Sequence, residues 1–245
     1  MKKNIRIRRS NERGLEDFGW TDNWMTFSFA NYHDPEWMHF GPLRVIVENH
    51  IQPHSGFQAH PHRDMEIVTY VSRGVLTHGD NMGNKEPIPA GAMQRLSAGT
   101  GIVHSEMNEH DEVEHNIQIW ILPDKQGRKP GYQVKRFSRE QLTDTLQLYI
   151  SQSGRDGSMF INQDVDLYAG FLSAGTQYAH ELAQNRGVWI QIVRGRLEVN
   201  GDLELQKGDG CGILKIDGLE LKALEETELV LFDMAMDFET PYRLQ

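Results

Sequence analysis

Cysteine is nearly missing from this chain, with Cys211 the single one among 245 residues. That excludes an internal disulfide and a metal site built from several thiolates, so any metal held here is held by nitrogen and oxygen. Long apolar runs are missing as well. Nothing approaches the roughly 20 apolar residues of a membrane-spanning helix, and no run of signal-peptide length follows the basic opening MKKNIRIRRS. The expectation is a soluble, cytoplasmic protein with no membrane contact. Positive charge is also scarce: 25 Lys and Arg stand against 35 Asp and Glu, a formal charge of −10. That is the wrong sign for tracking a phosphate backbone, and no direct nucleic-acid partner is expected.

What is present points to β structure. The hydrophobic share is 38%, with 10 Phe, 7 Tyr and 5 Trp for a core, and 23 Gly with 9 Pro supply many turns. From about Leu43 to Pro123, the segments LRVIVENHI, MEIVTYVSRG, GVLTHGD, AMQRLS, GIVHSEM and NIQIWILP read as strands rich in β-branched and aromatic residues. Between them DNMGNKE, PAG and SAGTG carry the residues of tight turns. This is the pattern of an antiparallel sandwich or barrel. GRKPGYQ at 127–133 reads as a linker, and SREQLTD as a short helix with Ser138 as N-cap and Gln141 closing a capping box.

A second strand-rich run follows in MFINQDVDLYAGFL, GVWIQIVRGRLEVNG, LELQKGDGCGILK and ETELVLFDM, and two phrases of the first half recur in it. EIVTYVSRGVLTHGD resembles WIQIVRGRLEVNGD, and EPIPAGAMQRLS resembles LELQKGDGCGIL. The expected fold is therefore all-β, one barrel plan used twice over residues 1–125 and 126–245. His180 is the one histidine of the second half, so metal chemistry is assigned to the first.

HPHRDME, residues 60–66, sets His60 and His62 one residue apart and Glu66 beyond them. Alternate strand residues share a face, so both imidazoles can turn to one point. HSEMN repeats the alternation with His104 and Glu106. Two such pairs on neighbouring strands make a four-ligand cage for a divalent ion, with open positions left for substrate, water or dioxygen in an octahedral setting. A single HxH is more often a bland strand feature, and His78, His110 and His115 are read that way. The coincidence of HxH with HxE is read as metal binding, because burying these groups together without a partner is costly.

The same residues carry a resemblance. GFQAHPHRDMEIVTYVSRG resembles the first cupin motif, and GTGIVHSEMN the second. HPHRDMEIVTY, DNMGN, SAGTGIVHSE and QIWILP, with NERG and FSFANYHDP near the start, resemble the pirin family, and within it the bacterial members described as quercetin 2,3-dioxygenases. The resemblance implies two cupin barrels, a bicupin, with one metal, usually iron, in the amino-terminal barrel only. In most cupins the carboxylate ligand comes from the first motif, here Glu66; in pirins it lies two past the second-motif histidine, here Glu106. The expected ligands are His60, His62, His104 and Glu106, with Glu66 beside the site or structural. Asn108 closes the second motif and is expected to fix a loop.

The implied reaction is opening of the central ring of a flavonol such as quercetin by dioxygen, with release of carbon monoxide. Glu106 is the expected general base, with Glu66 as the alternative. Fe(II) is the expected metal, with Mn, Co, Ni or Cu as replacements; Zn fits the ligands but cannot change oxidation state. A planar polyphenol needs an apolar slot, for which Phe27, Phe29, Tyr32, Trp37, Met38 and Phe40 are the available material. The alternative is a non-catalytic, iron-binding redox sensor acting on a protein partner that nothing in the sequence identifies. A third is an isomerase or sugar-modifying cupin, since the fold hosts many activities.

Overall fold

A computed structural model describes residues 4–242. The described residues form two units, one holding Gly14–Arg136 and Ile161–Gln163, the other Phe137–Phe160, Asp164–Phe238 and Asn4–Arg13. Glu239–Tyr242 rejoin the first. Each unit consists of a seven-stranded and a four-stranded sheet. Pairing between the described strands is antiparallel except where Met159–Phe160 runs parallel to Thr145–Ser151, and an isolated parallel bridge joins Thr143 and Phe171. No helix of the described residues is long and apolar enough to cross a membrane.

In the first unit the seven-stranded sheet runs Gly131–Arg136, Ala92–Ser97, Glu66–Arg73, Glu114–Ile121, Leu43–Ile51, Thr21–Met25, Gly14–Asp17. The four-stranded sheet runs Ser55–His62, Ile102–Asn108, Val75–Asp80, Lys85–Pro89. The division expected at 125/126 thus falls one strand too early. Gly131–Arg136, whose first three residues fall in the linker read at 127–133, pairs with Ala92–Ser97 along its whole length. At the other end, Ile5–Arg8 pairs with Gly210–Leu214 of the second unit. The capped helix forms over Arg139–Leu142, with Ser138 and Gln141 bonded reciprocally.

The recurring phrases occupy matching places. Gly74 and Gly195, both at positive φ (77° and 87°), turn the strands Glu66–Arg73 and Arg186–Arg194 into the strands that follow. A side chain on Gly195 would meet Glu226 O at 2.3 Å, so the turn requires glycine. Counted back from those glycines, Ile67, Thr69 and Val71 correspond to Val188, Ile190 and Ile192. The cross-strand partners agree, Thr69 facing Gln94 and Ile190 facing Cys211.

This correspondence exposes the difference between the interiors. In the first unit, Ile67 and Leu96 belong to one buried apolar cluster, and Val71 and Ala92 to another. Thr69 and Gln94 lie between them in register, forming a polar layer within the barrel. In the second unit Ile190 and Cys211 take those places inside one apolar cluster. Burial pushes the Cys211 thiol up to about 12, so it packs as a hydrophobe.

Candidate metal centre

His60 and His62 stand on Ser55–His62, an edge strand of the four-stranded sheet, and His104 faces His60 from Ile102–Asn108. Opposite Ser105 the edge strand carries one extra residue, Gln58 and Ala59 facing it together: His104 pairs with His60 but Glu106 pairs with Phe57. Such a bulge bends its strand and re-aims side chains near it. At its far end Gly56 lies so close to the neighbouring strand that a Cβ would meet Glu106 O at 2.4 Å. The loop after His62 is tied down at Asp64, whose N–H donates to Gly99 O, whose carboxylate accepts from Gly127 N, and whose carbonyl accepts from Tyr242 Oη.

The three rings form a near-equilateral group, with centroids 4.8 Å apart for His60 and His62, 4.5 Å for His60 and His104, and 4.9 Å for His62 and His104. One nitrogen of each lies within 4.8 Å of the others. His60 Nδ1 is 2.7 Å from Gln58 O. A carbonyl only accepts, so Nδ1 carries the hydrogen, which in the neutral ring leaves the lone pair on Nε2. Burial, and next the neighbouring imidazoles, lower the pKa of His62 to about 4 and that of His104 to about 3; Glu106 and Asp80 respectively oppose the shift. Both are neutral at physiological pH, the form that binds metal.

His104 carries the test of fit. It is 1% exposed, and neither Nδ1 nor Nε2 has a hydrogen-bond partner. An unpaired buried polar atom costs about 1–3 kcal/mol, and an ion at the centre of the three rings would relieve that cost at one of them. A three-nitrogen donor set with a carboxylate close by suits a divalent transition metal.

Glu106 is buried, and three donors aim at its carboxylate. Oε1 accepts from Thr69 Oγ1 at 2.9 Å and Gln94 Nε2 at 2.5 Å, and Oε2 from Gln118 Nε2 at 2.6 Å. Its oxygens fall outside the group of ligand atoms that brings the imidazoles together. Gln118 Oε1 in turn accepts from Trp120 Nε1 at 3.3 Å. Trp120 stands edge-on to His62 at 5.0 Å, with Phe29 edge-on to it at 5.0 Å. Of the aromatics considered for a slot, Phe29 takes that place; Phe27 and Phe40 are core residues at 0% and 3% exposure.

Thr69, Gln94, Gln118 and Trp120 went unnoticed in the sequence. The available signal was period-two alternation in QIW, which puts Gln118 and Trp120 on one face. Glu66 lies elsewhere: Ser97 Oγ and Asn162 Nδ2 donate to its Oε1 at 2.5 and 2.8 Å, and burial raises its pKa. It ties Ile161–Gln163 to the first unit. Asn108 fixes its loop, with Nδ2 donating to Ile51 O and Glu112 O. His78, read as bland, is fully buried, 2.9 Å from Asp80 Oδ2 and stacked on Tyr132.

Comparison with known proteins agrees with this layout. A family model described as Pirin matches residues 6–121, and one described as the quercetinase C-terminal cupin domain matches 148–234. The chain is 46% identical over 231 residues to the quercetin 2,3-dioxygenase of Escherichia coli K12, covering 94% of this chain and 98% of that one. It is 39% identical over 223 residues to a pirin-like protein of Caulobacter vibrioides, covering 91% and 96%. The crystal structure of the bacterial pirin YhhW from Escherichia coli in complex with nickel(II) is similar at a TM-score of 0.89 and 44% identity, covering 94% and 99%. With both halves matched in order across nearly the whole of each relative, the chain belongs to the pirin family and is built as two cupin barrels.

Proposed function

We propose that this protein is a metal-dependent dioxygenase that opens the central ring of a flavonol such as quercetin, consuming dioxygen and releasing carbon monoxide. The observation that carries the reading is the convergence of His60, His62 and His104 beside the buried carboxylate of Glu106, with both nitrogens of His104 lacking partners. The activity of the Escherichia coli relative supports it. His60, His62 and His104 would hold the ion, with Glu106 as fourth ligand because it follows His104 on the same face of one strand. When bound, the metal supplies Lewis acidity that lowers the flavonol hydroxyl pKa and, as Fe(II) or nickel, a centre able to engage dioxygen.

The rest falls to the chain's own side chains. Glu106 is the proposed acceptor of the flavonol 3-hydroxyl proton, held in place by Thr69, Gln94 and Gln118. Trp120 and Phe29 supply an apolar wall for a planar polyphenol beside His62.

The test is aerobic incubation of the iron- or nickel-loaded protein with quercetin, following flavonol absorbance and carbon monoxide. Turnover that disappears on chelation and in His62→Ala is expected. Absence of turnover with every redox-active metal would move the weight to a binding or redox-sensing role.

A further inference from the structure

His50 and His115, neither given a role by the sequence, are direct cross-strand partners on Leu43–Ile51 and Glu114–Ile121. Their rings stack with centroids 4.4 Å apart at 20°. Glu48, two residues before His50 and 1% exposed, places Oε1 2.9 Å from His115 Nε2 and 3.9 Å from His50 Nε2. One ligand atom from each of the three lies within 4.8 Å of the others. Gln118 turns inward to Glu106, and alternation sends His115 to the opposite face of the sheet, where Glu48 and His50 also lie. The group is therefore separate from the imidazoles of Ser55–His62 and Ile102–Asn108.

We propose that Glu48, His50 and His115 form a second metal site, which takes a borderline divalent transition metal such as zinc or nickel. Bonds of about 2.0–2.1 Å around a tetrahedral ion space its donors roughly 3.3–3.4 Å apart, and the two nitrogen–oxygen distances here bracket that spacing. Binding requires the stacked rings to splay so that both Nε2 lone pairs meet the ion. Asp22 Oδ2 lies 3.3 Å from His50 Nδ1 and accepts from Trp24 Nε1.

The bland alternative is a His–carboxylate ion pair, and other pairs in the protein show how such a pair looks. His54 with Asp111 and His78 with Asp80 bring one imidazole each to the carboxylate. His180 shares Asp233 with the Arg186 guanidinium, which occupies the place of a cation. Among the described residues, Glu48 is the one carboxylate on which two imidazoles converge.

Equilibrium dialysis of the full chain against zinc, with elemental analysis, tests the site without reference to flavonol turnover. The expected result is two equivalents in the natural protein, one in the His50→Gln/His115→Gln double variant, and one in His62→Ala. Saturation of the natural protein at one equivalent, or a double variant that keeps two, overturns the proposal and leaves a structural ion pair. Anomalous diffraction at the zinc edge on crystals of the natural protein needs no variant to fold. A peak between Glu48 Oε1 and the two Nε2 atoms supports the site, and its absence at saturating zinc overturns it.

Discussion

His104 concentrates the tension of the first barrel in one side chain. Its two ring nitrogens are buried without partners, a cost of about 1–3 kcal/mol for each unsatisfied group, and leucine of similar size would carry none of it. In metal-free protein His104→Leu is therefore expected to unfold at a temperature equal to or above that of the natural chain. Adding metal reverses the order. A ligand at 100 times its Kd stabilises by about 2.7 kcal/mol, so the natural protein shifts upward in a thermal melt while the variant stays put. The two glutamates near the motifs separate in the same manner. Glu106→Gln sets an amide N–H against one of the donors from Thr69, Gln94 or Gln118, a loss of about 1–3 kcal/mol, and it is expected to lower metal occupancy. Glu66→Gln, bonded to Ser97 and Asn162 instead, is expected to keep its ion; elemental analysis of the two variants decides between them.

Strand pairing does what composition alone does not announce. His60 and His104 face each other because Ser55–His62 and Ile102–Asn108 pair with a bulge between them, and the close approach at Gly56 holds that register. Gly56→Ala drives a methyl group into Glu106 O and Met107 Cα. The strands must part, so the variant is expected to lose metal affinity at least tenfold, the equivalent of about 1.4 kcal/mol. Titration with a chelating dye reads it directly. The second barrel offers a pH signature of its own. Burial alone would raise the Asp233 carboxyl, but hydrogen bonds from His180 and Arg186 and the Arg186 charge hold it below the ordinary range. A depressed folded pKa contributes stability that is fully present above the unfolded value of about 3.8 and fades as pH falls through the folded one. Asp233→Asn is expected to cost about 1.5–3 kcal/mol at pH 7, a gap that narrows below the unfolded value in denaturant titrations across the acid range.

At the scale of the whole chain, the sequence made legible whatever is local or periodic. The strands Leu43–Ile51 and Ala92–Ser97 coincide with the segments LRVIVENHI and AMQRLS read as strands, and the doubled phrases locate the same turn glycine in both barrels. The HxH pair is visible because alternation fixes facing without any knowledge of partners. What escaped notice depends on pairing at a distance. GRKPGYQ at 127–133 looks like a linker because its composition is that of a loop, and only pairing with Ala92–Ser97 makes a strand of Gly131–Arg136. Ile5–Arg8 joins the second unit across some 200 residues of sequence. Polar residues at inward positions, such as Thr69 and Gln94, read in one dimension as ordinary solvent-facing ones. The replacement of that layer by Ile190 and Cys211 shows why one copy of the plan carries a metal-site environment and the other packs as a dry core. The same limit hid Glu48 and His115, which are 67 positions apart in sequence and 2.9 Å apart in the fold.

The most direct measurement is anomalous diffraction at the iron edge from crystals of the iron-loaded chain. A single strong peak about 2.1 Å from one nitrogen each of His60, His62 and His104 is expected, lost in crystals of His104→Leu. Iron-loaded crystals with no peak among the three rings, or a peak that survives the loss of His104, would contradict the metal centre and with it the dioxygenase reading.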